Sequence, residues 1–347
     1  MVDRSKLSCS KLNRPKFNLI KPILILGIGV LAISTGAIFS RWAMVVNLGQ
    51  GDPSASPNLV GFGLFLAAGR VGVAALSLLP FWLVSRLRSA WTKTAPKALS
   101  KNLPASEALA SEAKVQPKLR SGYLWAIAAG LCLALHFSTW ITSLAYTSIA
   151  ASTVLVTTNP IWIALATWVL FGDRPNRPMI SGIGVALMGS AIVSWSPQIN
   201  AGNQPWLGNF LALAGAWTFS AYFLMGRTAQ RRGVAPSTYA IITSATAAIA
   251  LAPFPLLTGE RYGGHSPWVY LCILLSALIP QLIGHGSLNW AMTQLPPITT
   301  SLVILLEPIG ASVLAYWIFG EQPGWTVVLG AIAIIGGISL SFDHPSS

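Results

Sequence analysis

Apolar runs alternate along the chain with short clusters of charge, proline and glycine, and ten runs read as membrane-spanning helices. They fall at about 22–46, 59–85, 122–146, 148–171, 178–195, 206–226, 238–257, 267–292, 298–319 and 325–342. A helix that rises about 1.5 Å per residue needs roughly 17–25 mostly apolar residues to cross a bilayer core, and each run fits that length. The second and eighth runs are the longest and span with tilt. The first run, from Ile23, follows a basic arm as a signal peptide's core would. It is too long and lacks a small-residue cleavage pattern, so it predicts a retained helix.

Composition agrees with the pattern. Hydrophobic residues make up 53% of the 347 residues and charged residues only 9%, where a soluble domain carries roughly 25%. Ten spans leave no stretch for an aqueous domain of ordinary size, so any function sits within the membrane region. The three cysteines, Cys9, Cys132 and Cys272, form no CxxC pair, which argues against a disulfide framework or a structural zinc site.

Net charge is +13, and its distribution decides orientation. Every lysine and arginine except Arg41, Arg70 and Arg261 falls in the N-terminal arm, in 86–121, or in the connections after the fourth and sixth runs. With the N-terminus inside, all of these lie on one side, so both termini are predicted cytoplasmic and the charge is a topology signal rather than a nucleic-acid footprint. The predicted organisation is a basic cytoplasmic arm at 1–21, a first five-helix unit at 22–195 with a cytoplasmic loop at 86–121, a second unit at 206–342 and a cytoplasmic tail at 343–347.

The two units repeat. Asn159-Pro160 and Phe171-Gly172-Asp173 match Glu307-Pro308 and Phe319-Gly320-Glu321 at one offset, and Ser152-Thr153 matches Thr300-Ser301. His136 matches His285 after a one-residue change. Five helices is an odd number, so the second copy enters the membrane from the opposite side, and such inverted repeats place a solute site where the halves meet. The predicted fold class is therefore an all-α integral membrane protein of ten transmembrane helices in two inverted five-helix repeats.

Five-plus-five helices, a proline in the middle of the fourth and ninth spans and a Gly-acid corner closing each of them resemble the EamA-type carriers of the drug/metabolite transporter superfamily, over roughly residues 22–342. The resemblance implies a central cavity lined chiefly by spans one, three, four, six, eight and nine, and export of small metabolites or amino-acid-like solutes by alternating access across a bacterial inner membrane. Two departures stand out: the 86–121 loop is longer than the family's short connection, and Asp173 stands where the family more often has glutamate.

Several residues carry candidate chemistry. Pro160 and Pro308 lack an N–H, which leaves the carbonyls of Val156 and Ile304 without a helical donor and predicts either a hinge beside a water-accessible cavity or a packed kink with no role. Glu307 lies roughly 13 Å inside its span, where a carboxylate must meet water, a partner or a proton. It either pairs with Arg70, the only arginine at comparable depth, or binds a proton or a solute ammonium. Asn159 holds the matching position of the first unit, and Arg41 snorkels from an outer end or contacts solute. Gln281, His285 and Asn289 recur at steps of four on the eighth span, and His136, Trp140 and Ser143 share a face of the third. These two polar faces either hold a small polar solute or bond helices together. Asp173 and Glu321 read as helix caps or partners of a nearby arginine. The glycines of the fifth and tenth spans permit close helix approach, at the contact between repeats or in a homodimer.

HExxH, GxSxG and Walker sequences are absent, which argues against an intramembrane enzyme and against ATP driving, and calls for neither metal nor cofactor. A small-molecule solute and the bilayer are the expected partners. A non-transporting sensor or scaffold is the other reading.

Overall fold

The computed structural model describes residues 20–49, 58–94, 105–147, 149–172, 174–194, 204–319 and 325–342. Among them the chain is helical throughout, with no strand. The long rods are α1 (Ile20–Leu48), α2 (Leu59–Thr94), α3 (Ala105–Tyr146) and α7 (Pro205–Arg231). Shorter pieces are α4 (Ile149–Val156), α5 (Asn159–Phe171), α6 (Arg177–Ser194), α8 (Pro236–Leu251) and α9 (Pro253–Leu257). One rod is composite: α10 (Pro267–Ser276) runs through a π-helical segment (Ala277–His285) into α11 (Gly286–Ala291). The chain closes with α12 (Pro297–Ile304), α13 (Glu307–Phe319) and α14 (Trp325–Phe342). Eight helical stretches are long and apolar enough to cross a membrane, and two shorter apolar helices lie at 177–192 and 328–341.

Prolines open many of these helices because the first turn has no use for their missing N–H. Pro205, Pro236, Pro253, Pro267 and Pro297 all stand at such starts. Gly172 ends α5 with a φ of 74° and returns its N–H to the Trp168 carbonyl, a left-handed cap that glycine adopts without steric cost.

The long connection expected at 86–121 is largely helical. α2 continues to Thr94 and α3 begins at Ala105, in the stretch ASEALASEAK, whose Ala, Leu, Glu and Lys favour helix in water as well as in lipid. The fourth and ninth spans differ from continuous kinked helices in the opposite sense. Each is cut in two by a turn, at Thr157-Thr158 and at Leu305-Leu306, just ahead of its proline. Asp173 and Glu321 lie outside the described residues.

The exterior is apolar: Leu31, Leu76 and Phe81 are 67%, 70% and 77% exposed, as lipid-facing side chains are. The interior mixes apolar packing with buried serine, threonine, histidine and arginine. α6 and α14 pack backbone to backbone. A Cβ added at Gly182 would lie 2.5 Å from the Gly337 carbonyl oxygen, and one at Gly189 2.7 Å from that of Gly330. These glycines therefore serve a contact inside the chain, while Gly184 and Gly336 face open space.

Candidate functional site

The two helix breaks converge on one cavity. Val156, Thr157 and Asn159 border it from the first break, Ile304 and Glu307 from the second. Val156 and Ile304 are the residues whose carbonyls the prolines deprive of the usual helical donor, and both border the cavity. Asn159 and Glu307 are the first residues of α5 and α13. A carboxylate there faces the positive end of its own helix, which explains in part why Glu307 is tolerated at 7% exposure.

The remaining wall comes from α1, α2, α3, α7 and the composite rod. α2 supplies Arg70, 2% exposed. Its Nε donates to Gln281 Oε1 at 3.2 Å, and its guanidinium carbon lies 4.2 Å over the Phe137 ring and 5.9 Å from the Trp140 ring. The aromatic faces favour the cation, and burial holds the planar group in one orientation. Arg70 and Glu307 line the same cavity without forming an ion pair, the one pair among the described residues being His265–Glu260 at 3.5 Å.

α3 presents His136, Phe137 and Trp140 to the cavity. His136 Nδ1 donates to the Gly215 carbonyl at 3.0 Å, and its ring lies within 5° of parallel to Trp140, 6.0 Å away. Phe219 of α7 closes on His136 at 4.8 Å and His285 meets Phe137 edge-on at 5.4 Å. The result is an aromatic box with polar edges.

A second cavity lies between α2, α8 and the composite rod, bordered by Ser237, Thr243, Ser244, Gln281 and Asn289. His285 borders both cavities. The partition between them is therefore carried by the π-helical segment, a geometry that recurs at functional sites.

The structure thus gathers Arg70, His136, Trp140, Asn159, His285 and Glu307 around one space, with Gln281 one bond behind. It separates the others. Asn289 accepts from the Tyr222 hydroxyl at 2.8 Å and holds Gln230 through its carbonyl at 3.1 Å. Ser143 bonds Ser152 at 2.6 Å, and Arg41 donates to the Leu144 carbonyl at 3.0 Å. Phe137 and Phe219 were not legible as site residues, because aromatic residues in apolar spans are the usual filling of a core. Pro280, inside the π segment, was a signal that hydropathy hid.

Residues 206–342 match the EamA-like transporter family. An uncharacterised transporter of Synechocystis is 30% identical over 224 residues, covering 63% of this chain and 62% of that protein. The chain therefore matches less than two thirds of that relative's length. An uncharacterised transporter of Clostridium kluyveri is 24% identical over 64% of this chain and 72% of its own. A solved crystal structure, 18% identical, superposes with a TM-score of 0.58 over 93% of this chain and 97% of its own, a likeness of fold.

Proposed function

We propose that this chain, whose residues 206–342 carry an EamA-like transporter domain, is a secondary transporter that exports small polar metabolites, amino-acid-like solutes among them, by alternating access. The observation that carries the reading is the buried polar cavity bounded by two matching helix breaks. Broken helices whose half-helix ends meet at a cavity are how carriers present polar groups to a solute within the membrane.

The ten-helix inverted-repeat architecture belongs to the same proposal. α4 and α12 are both 8 residues long, α5 and α13 both 13, and α6 and α14 both 18. The packing supports a two-fold relation as well: α3 packs on α7 as the composite rod packs on α1, and α5 on α7 as α13 on α1. In this scheme the protein sits in the plasma membrane with both termini cytoplasmic, and the turns at 157–158 and 305–306 are where the halves flex.

The test compares medium and cytosol of cells expressing the native chain with those expressing Glu307→Gln at equal membrane abundance, by untargeted metabolite profiling. The expected result is a solute class that moves to the medium with the native chain and stays inside with the variant. Identical profiles for native, variant and empty cells would sink the transporter reading.

A further inference from the structure

Four polar side-chain atoms around the central cavity are buried and without a partner: Arg70 Nη1, Trp140 Nε1, Asn159 Oδ1 and His285 Nδ1. Their residues are 1–6% exposed. Unsatisfied buried polar groups are rare in a folded chain, and four around one cavity define a site built for something absent from the chain itself. Two of the four can only donate: a guanidinium and an indole N–H have no acceptor capacity. Both side chains border one small space on α1. A Cβ placed at Gly36 would lie 3.3 Å from Arg70 Nη1 and 3.4 Å from Trp140 Cη2.

Arg70 is also held in plane. Gln281 takes its Nε, Phe137 covers its face, and Glu307 stays beyond ion-pair distance. The fixed guanidinium keeps Nη1 free to donate, and its charge-assisted N–H groups bond most strongly to an ionised acceptor such as a carboxylate. Charge narrows the class further. The Arg70 guanidinium brings a positive charge to the cavity wall, which favours an anionic group over its neutral amide.

We infer that Arg70 Nη1 and the Trp140 indole N–H form a subsite that binds the carboxylate group of the solute, with Gln281 as the positioning residue that sets the guanidinium plane. The inference rests on the reading of this cavity as the solute site. Asn159 Oδ1 and the Glu307 carboxylate, acceptors in the same cavity, are left for whatever donors the solute carries.

The experiment is ligand binding to the purified full chain, read as the shift of its unfolding midpoint with ligand concentration. The probes are two matched pairs, isovalerate with isovaleramide and leucine with leucinamide. The acid of each pair is expected to bind at least tenfold more tightly than its amide. Trp140→Phe keeps a ring beside Arg70 and removes only the N–H, and it should weaken that preference. Arg70→Gln should abolish it, and Arg70→Lys should restore part of it. Equal binding of acid and amide overturns the subsite, as does a preference that survives in both Trp140→Phe and Arg70→Gln, or failure of all four probes to bind at millimolar concentration. Acid-selective binding without solute flux in cells would keep the subsite and count against the transport reading. Flux without acid selectivity would do the reverse.

Discussion

Gly182 and Gly184 stand two residues apart on α6 and meet opposite surroundings. A side chain at Gly182 would strike Ser341 and the Gly337 carbonyl of α14, whereas Gly184 has no neighbour within 4 Å. Overpacking an interface that close costs about 1–3 kcal/mol. Gly182→Ala should therefore destabilise the purified protein by that amount and lower its unfolding midpoint, while Gly184→Ala leaves the midpoint unchanged or raises it through helix propensity. Equal effects of the two substitutions would refute the close packing of α6 on α14. Both glycines were visible in the sequence as promoters of close approach. Which of them is used was not, because in two adjacent turns of one apolar helix nothing local marks the partner's direction.

At the scale of elements, the breaks before α5 and α13 follow from the missing N–H of Pro160 and Pro308, a local cause that any reader of the sequence can find. Pro308→Ala returns a donor to the Ile304 carbonyl and allows α12 and α13 to join. The expected outcome is a stability that is unchanged or raised by about 1 kcal/mol for the recovered hydrogen bond, read from the unfolding midpoint, together with severalfold slower solute flux. Flux at the native rate would show that the break has no part in transport. The π segment is the contrary case. Gln281, His285 and Asn289 at steps of four suggested one face of a regular helix, yet the wider turn sends Gln281 to Arg70, His285 to the wall between two cavities and Asn289 to Tyr222. Hydropathy carries no information on whether a helix bonds to the fourth or the fifth residue back, so the divergence was not legible.

For the molecule as a whole, orientation rests on where lysine and arginine fall. Arg261 and Gly263 lie in the α9–α10 connection, Ala235 in the α7–α8 connection, and the charge bias puts the two connections on opposite sides of the membrane. In a background freed of native cysteines, Gly263→Cys should react with a membrane-impermeant maleimide on intact cells, and Ala235→Cys only after permeabilisation. The reverse pattern would invert the topology. The central cavity is a whole-molecule property in the same sense: its wall draws on both halves of the chain, so no segment contains the site.

The sequence by itself determined the solvent, the apolar runs, the proline breaks and the matching motifs of the two halves. Each of these is set by composition or by backbone chemistry within a few residues. Only the tertiary structure decided that Arg70 bonds Gln281 and stacks on Phe137 instead of pairing with Glu307, that Gly182 and Gly189 of α6 face α14, and that the unpartnered donors and acceptors of four helical elements meet in one space. The physical reason is separation along the chain. The Arg70–Gln281 contact joins residues 211 apart, and the choice among distant partners depends on how rods pack and turn about their axes, which hydrophobicity constrains only weakly inside a bilayer.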